Sequence, residues 1–243
     1  MGVKSSINQK GSDNMSNKVT KIYAKLTPER DEAIFSGIKF VDFIECVPIS
    51  IKNMLLLKPI DIGEKYCHRF ELLEGQDDIA KLKLQNIYNY GDFCFVDYED
   101  TALVSQLTGD NIAELLYLTH MYEPLKSPFF DVLQNNYAYL SHDDGWYCKL
   151  YCKEWKALNS ILLNKILNSV RQTFCGKISS LPSDLTKKVV ELSPKGLLVV
   201  LEASKQRNKA VIKLYEVGEH KNIDTLFNNL ENIISHVSFE VQL

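Results

Sequence analysis

Apolar side chains recur at helical spacing in three parts of the chain. A stripe repeated every three or four positions predicts amphipathic helices over residues 154–174 and 224–237. Residues 110–122 are apolar on nearly every side, which indicates a short helix that is buried on more than one side. All three segments are long enough to pack against a larger apolar layer, so we expect a substantial core.

Other segments show the signals of turns and strands. Thr27 followed by Pro28 is typical of a helix start and Gly37 of a helix end, which predicts a fourth helix between them. Residues 40–65 are apolar but interrupted by Pro48, and the pattern assigns them no element. The segments predicted to be strands are residues 19–26, 66–73, 86–98, 196–202 and 209–217.

These strands do not alternate regularly with helices, which favours an α+β fold over a doubly wound sheet. We therefore predict a mixed or antiparallel sheet with flanking amphipathic helices. Residues 1–18 are small and polar, which indicates a disordered leader or a cloning remnant. Residues 19–243 are predicted to form one globular domain, with residues 176–183, which hold glycine, serines and proline, as a candidate sub-boundary.

Residues 136–153 are predicted to form a β-hairpin around Asp143, Asp144 and Gly145. These residues fit a three-residue connection with glycine in the left-handed conformation. That turn pairs Leu140 with Cys148. In this register one face carries apolar side chains, namely Ala138, Leu140, Trp146, Cys148, Leu150 and Cys152. The other face carries Tyr137, Tyr139, Tyr147, Lys149 and Tyr151.

The tyrosine-rich face of this hairpin supports two interpretations. Tyrosine offers a large contact area and a polar tip, so Tyr137, Tyr139, Tyr147, Lys149 and Tyr151 are predicted to bind a partner. Alternatively, these side chains pack beneath another layer of the same protein. The sequence does not decide between the two interpretations.

The same hairpin contains side chains that bind metals in other proteins, including His142 and two cysteines. Cys148 and Cys152 lie four positions apart on a strand, about 13 Å along it. Two ligands of one zinc ion must each lie about 2.3 Å from it, so these cysteines are not expected to share an ion. No metal site and no cofactor is predicted.

Common catalytic motifs are absent, including glycine-rich phosphate loops, the nucleophile elbow and the zinc-protease signature. Cys67 and His68 are neighbours on a predicted strand, so their side chains point to opposite faces. An enzyme therefore needs a site assembled from distant residues. The candidates for such a site are His120, His142, Asp144 and Asp97.

Charge is unevenly distributed along the chain although the net charge is only −3. Residues 92–144 carry ten acidic side chains and one lysine, whereas residues 145–215 carry thirteen basic and four acidic side chains. These segments either face each other or mix in the fold, or they form a bipolar surface that steers a charged partner. The basic residues within 187–213 are the candidate nucleic-acid surface, but a pI of about 6.0 argues against that function.

The composition favours a protein of the cytoplasm. No apolar run approaches the roughly 18 residues of a spanning helix, and the six cysteines are spread without a Cys-x-x-Cys pair, so reduced thiols are expected. We therefore expect a protein that binds a macromolecular partner, as a regulatory, inhibitory or immunity-type module. An enzyme with an assembled site is the alternative, and nucleic-acid binding comes third. No membrane association is predicted. The sequence does not indicate an oligomeric state.

Overall fold

The computed structural model describes residues 19–62, 65–85, 93–142, 147–174, 178–203, 209–219, 223–229 and 236–242. Several sequence predictions fall outside these ranges. They are the leader 1–18, the turn residues Asp143, Asp144 and Gly145, the predicted strand residue Trp146, and the side chains of Cys67, His68 and His142.

One antiparallel sheet of ten strands runs through the described part of the chain. Its strands are β1 (Thr20–Thr27), β2 (Glu32–Ser36), β3 (Asn53–Ile62), β4 (Lys65–Glu74), β5 (Phe93–Tyr98), β6 (Tyr137–His142), β7 (Tyr147–Cys152), β8 (Leu197–Ala203), β9 (Lys209–Glu216) and β10 (Val237–Gln242). Across the sheet they follow the order β10-β9-β8-β1-β2-β7-β6-β5-β3-β4. Strands from the two ends of the chain are therefore neighbours inside the sheet, where β1 pairs with β8, and the two central strands are β2 and β7.

Seven α-helices flank this sheet among the described residues. They are α1 (Phe40–Cys46), α2 (Gly75–Lys83), α3 (Thr101–Val104), α4 (Gly109–Met121), α5 (Lys156–Phe174), α6 (Ser183–Leu192) and α7 (Ile223–Asn228). The arrangement confirms the predicted α+β class with an antiparallel sheet. Helices α4 and α5 occupy the segments that the apolar spacing predicts.

The main core covers one side of the sheet, which we call the first face. Helices α1, α2, α5 and α6 pack there against alternate side chains of nearly every strand. Leu158, Leu162 and Ile166 of α5 lie on the predicted apolar stripe and are fully buried. This layer contains strands from before and after residues 176–183, because β1 and β8 both contribute to it.

The opposite side, the second face, has two smaller cores. Helix α4 and the segment after it cover β3, β5 and β6. Helix α7 covers part of β1, β8 and β9, where Leu226 is buried against Leu198 and Val200. Polar second-face side chains of β1, β2 and β7, among them Lys25, Glu32 and Lys149, belong to neither of these two cores.

The helix predicted between Thr27 and Gly37 is wrong. Pro28–Arg30 form one 3-10 turn, Asp31 adopts a left-handed conformation with φ of 51°, and β2 begins at Glu32. The local capping signal starts a single turn, after which β2 pairs with both β1 and β7. Pairing with two neighbouring strands outweighs a helix of this length, because most helical stability comes from packing.

The hairpin at residues 136–153 is confirmed, but its predicted register is wrong by one residue. Leu140 pairs with Lys149 rather than Cys148, and four residues separate β6 from β7 rather than three. A shift of one residue moves every β6 side chain to the other face relative to β7. Tyr137 and Tyr139 therefore share a face with Cys148, while Tyr151 shares the other with Ala138.

Candidate functional site

The five residues predicted as a tyrosine-rich binding face do not lie on one face. Tyr137 and Tyr139 belong to the core of the first face, whereas Tyr147, Lys149 and Tyr151 point to the second face. Tyr137, Tyr139 and Tyr151 are each at most 2% exposed. They are therefore covered by the protein's own layers, as the alternative interpretation held.

Tyr139 is part of an aromatic cluster under α1. Its ring stacks on Phe95 with centroids 5.4 Å apart and an angle of 16°. Phe43 of α1 lies 5.2 Å from the same ring, and Phe40 lies 6.2 Å away at a steep angle. These contacts make Tyr139 a structural anchor for α1 on the sheet.

The remaining predicted residues border a buried polar group on the second face. Lys149 forms ion pairs with Glu123, which follows α4, and with Glu32 of β2, whose Oε2 lies 3.8 Å from its Nζ. The side chains of Lys149 and Glu32 are only 9% and 7% exposed, whereas that of Glu123 is 53% exposed. One lysine therefore serves two carboxylates, one buried and one open to solvent.

Two tyrosines surround the carboxylate of Glu32. Burial raises the pKa of Tyr151, and the negative charge of Glu32 raises it further. The pKa of Tyr147 is raised by burial and then by Glu32 in the same way. The Tyr151 hydroxyl also donates to the carbonyl of Tyr122 at 3.4 Å. Both phenols therefore stay neutral at physiological pH, where each hydroxyl can donate a hydrogen bond.

A surface cavity of about 360 Å³ opens beside Glu32, and we call it the Glu32 cavity. It lies where β1 ends, β2 begins and the 3-10 turn at Ser193–Lys195 approaches. Its lining consists of Lys25, Leu26, Thr27, Pro28, Glu29, Arg30, Glu32, Ile34, Pro194 and Glu219. Glu29, Arg30 and Glu219 are exposed, so they form the rim, while Glu32 is 5% exposed and is the least exposed of the charged residues.

Glu32 stands out within this lining because one of its oxygens is unsatisfied. Oε2 is buried and accepts no hydrogen bond in the structure. Lys25 of β1 lines the same cavity, but its ammonium group donates to the carbonyl of Pro194 rather than to Glu32. A buried carboxylate oxygen without a donor is unusual and calls for a specific explanation.

The two candidate catalytic residues whose side chains are described, Asp97 and His120, are not brought together. Asp97 is 6% exposed and accepts hydrogen bonds from the backbone N–H groups of Asn136 and Tyr137 at 3.0 and 2.6 Å. Burial raises its pKa to about 6 despite these bonds. Asp97 shares the first face with Phe95, whereas His120 is exposed on α4, which packs on the second face.

The described basic residues that were predicted as a nucleic-acid surface do not lie on one face of the sheet. Lys187 and Lys188 lie on α6, which packs on the first face, whereas Lys213 alternates with the buried residues of β9 and points to the second face. Lys213 pairs with Glu202 at 2.7 Å and Lys188 with Glu191 at 2.9 Å. Lys205 and Arg207 lie outside the described residues.

The described cysteine thiols are buried, and the described residues offer no metal site. Cys46, Cys94, Cys148 and Cys152, the cysteines whose side chains are described, are buried and are not joined in disulfides. Burial raises the pKa of Cys148 and of Cys152 to about 12. Over the described ranges, no three His, Cys, Asp or Glu side chains lie close enough to hold a metal ion.

Sequence reasoning missed Glu32, because it placed this residue inside a predicted helix rather than at the start of a central strand. Its one available signal was a charged residue beside Ala33, Ile34 and Phe35, an apolar run typical of a buried strand.

None of the described helices is long and apolar enough to cross a membrane. No protein-family model, curated protein or solved structure matches this chain.

Proposed function

We propose that this protein acts by binding a macromolecular partner, most simply another protein, at the Glu32 cavity. It would then be a regulatory, inhibitory or immunity-type module of the cytoplasm. The observation that carries the proposal is the unsatisfied, buried oxygen of Glu32 beside an open cavity. A partner that donates a hydrogen bond there would supply what the free protein lacks.

The position of the cavity supports recognition of a surface rather than enclosure of a small substrate. Its rim residues Glu29, Arg30 and Glu219 are exposed and charged, so an approaching protein would meet them first. Lys149 and the partly buried Tyr147 lie on the same face, on the strand next to β2. These two residues keep their predicted binding role, while Tyr137, Tyr139 and Tyr151 contribute to folding.

The enzyme alternative gains no comparable support. Of its four candidates, Asp97 and His120 lie on opposite sides of the sheet, and Asp144 and the side chain of His142 lie outside the described residues. Buried thiols with raised pKa values are poor nucleophiles. Thiols that are not joined in disulfides agree with a reducing compartment, which supports the cytoplasmic assignment.

The test is partner capture from a native lysate with three baits, followed by mass spectrometry. The baits are the wild-type chain, Glu32→Gln, and the control Glu191→Gln on the exposed side of α6. Glu32→Gln keeps the shape of the side chain and removes its charge. We expect one or more proteins that bind the wild type and the control but not Glu32→Gln.

Circular dichroism must first show that all three baits are folded with similar melting temperatures. The same set of captured proteins on folded Glu32→Gln as on the wild type would refute the proposal. The control matters because Glu191 also carries a carboxylate but is not part of the cavity lining. It therefore separates the effect of this site from a general loss of negative charge.

A further inference from the structure

The chemistry of the Glu32 cavity indicates which group of a partner it accepts. Its least exposed charged side chain is that of Glu32, which is 7% exposed and has one unsatisfied carboxylate oxygen. Transfer of an ionised carboxylate out of water is costly unless cations or donors replace the lost hydration. The group that fills this position should therefore be a hydrogen-bond donor with a positive charge.

The neighbouring cations do not fully neutralise Glu32. Lys149 hydrogen-bonds to Glu123 and lies 3.8 Å from Glu32, beyond hydrogen-bond distance. Lys25 is engaged by the carbonyl of Pro194. Within the cavity lining, three carboxylates face two cations, since Glu29 and Glu219 join Glu32 against Lys25 and Arg30. The lining is therefore acidic by one charge.

The walls of the cavity are partly apolar. Leu26, Pro28, Ile34 and Pro194 contribute to the lining together with the charged side chains. A long side chain with an aliphatic stem and a charged tip matches this combination, because its methylene groups can contact the walls while its tip reaches the carboxylate. A volume of about 360 Å³ lies at the low end of the range for ligand pockets, which suits one side chain.

We propose that the Glu32 cavity binds the ammonium or guanidinium group of a lysine or arginine side chain presented by the partner. This inference rests on the proposed function, since the side chain belongs to a polypeptide. The cationic tip pairs with the carboxylate of Glu32, and the stem lies against Ile34 and the proline residues of the lining. The rim carboxylates Glu29 and Glu219 attract the approaching cation.

The inference is tested by NMR titration of the full-length, isotope-labelled chain with capped amino acids. The probes are Nα-acetyl-argininamide and Nα-acetyl-lysinamide, and the neutral control is Nα-acetyl-citrullinamide, which has nearly the shape of the arginine probe. Agmatine serves as a free amine without the polypeptide-like cap. Glu32→Gln and the control Glu191→Gln are titrated in parallel.

We expect saturable shifts at residues 25–34 with at least one cationic probe and a Kd on the order of 1 mM, as for ligands of this size. Glu32→Gln should weaken binding at least tenfold, whereas Glu191→Gln should leave it unchanged. Equal binding of citrullinamide, equal binding by Glu32→Gln, or binding of agmatine without either capped probe would each overturn the inference.

The outcome is distinguishable from the test of the proposed function. If Glu32→Gln abolishes partner capture but no cationic probe binds, the proposed function stands and this inference fails. If the capped probes bind through Glu32 but no captured protein depends on that residue, the partner proposal fails. In that case the cation specificity of the cavity survives without its proposed source.

Discussion

Lys149 holds a positive charge inside the second face, between one buried and one exposed carboxylate. Removing it should leave Glu32 as a buried charge without a cation, so Lys149→Met is expected to lower the free energy of unfolding by about 3 kcal/mol. The double variant Glu32→Gln/Lys149→Met removes both charges and should recover most of that loss. Urea denaturation of the two single variants and the double variant measures the coupling between the residues. Purely additive effects would show that Lys149 does not compensate Glu32.

Asp97 gives the molecule a pH dependence that can be assigned to one residue. Its pKa is about 6 in the folded chain against an ordinary value of 3.8. Between these values the folded chain binds more protons than the unfolded chain, so stability from Asp97 is fully present below about pH 4 and is lost as pH rises through 6. The loss amounts to at most about 3 kcal/mol for a shift of this size.

Asp97→Asn removes this titration but retains an oxygen that can accept the N–H of Tyr137. The stability of the variant relative to the wild type should therefore rise between pH 4.5 and pH 7. Urea denaturation at several pH values in this range measures the difference. A difference that stays constant with pH would mean that Asp97 does not titrate in it.

At the scale of elements, the position of the hairpin β6–β7 inside the sheet explains why its register was predicted wrongly. The alternation argument assumes one buried and one exposed face, but this hairpin lies inside the sheet with a core on each side. Apolar and aromatic side chains are then compatible with either face. The segment's identity as a hairpin was predictable from its turn residues, whereas the assignment of its faces depended on distant elements such as α1.

Tyrosine substitutions distinguish the two registers experimentally. Tyr139 is fully buried in the aromatic cluster, so Tyr139→Ala should lower the free energy of unfolding by about 3 to 5 kcal/mol. Tyr147 is only partly buried at the start of β7, and Tyr147→Ala should cost less than half as much. Chemical denaturation of both variants is the measurement. Similar costs would favour the register in which both tyrosines share one face.

The strand β2 shows the second limit of sequence reasoning at this scale. Thr27, Pro28 and Gly37 carry correct local information, since a turn does begin at Pro28 and Gly37 has a positive φ of 82°. What the local signals omit is the pairing of β2 with β7, about 115 residues later. Helices α4 and α5 were predictable because their patterns depend on residues close in sequence, whereas the Glu32 cavity depends on this distant pairing.

At the scale of the whole molecule, the charge segregation along the chain is partly resolved by folding. The acidic and basic segments meet directly where Glu123 contacts Lys149. Further basic residues pair within their own segment, as Lys213 does with Glu202, or with other parts of the chain, as Lys209 does with Glu240. The described ion pairs therefore mix the two signs, which favours mixing of the two segments in the fold over a bipolar surface.

From the continuous sheet we also predict which strands unfold together when the folded chain opens partially. Strands β1 and β8 pair in the interior of the sheet, and α5 and α6 lie on the same first-face core on either side of the candidate sub-boundary 176–183. Separating the C-terminal strands would expose that core, so β8 should open only with β1, β2 and β7. Native-state hydrogen exchange should therefore give these four strands the same, highest opening free energy.

The edge strands provide an internal reference for the same measurement. Strand β10 pairs only with β9 among the described residues and is largely exposed, so its amides should exchange at a much lower opening free energy. If β8 and β9 instead opened about 2 kcal/mol or more below β1 and β7, residues 176–183 would mark a boundary between two cooperative units. The predicted single domain would then be replaced by two units that share one sheet.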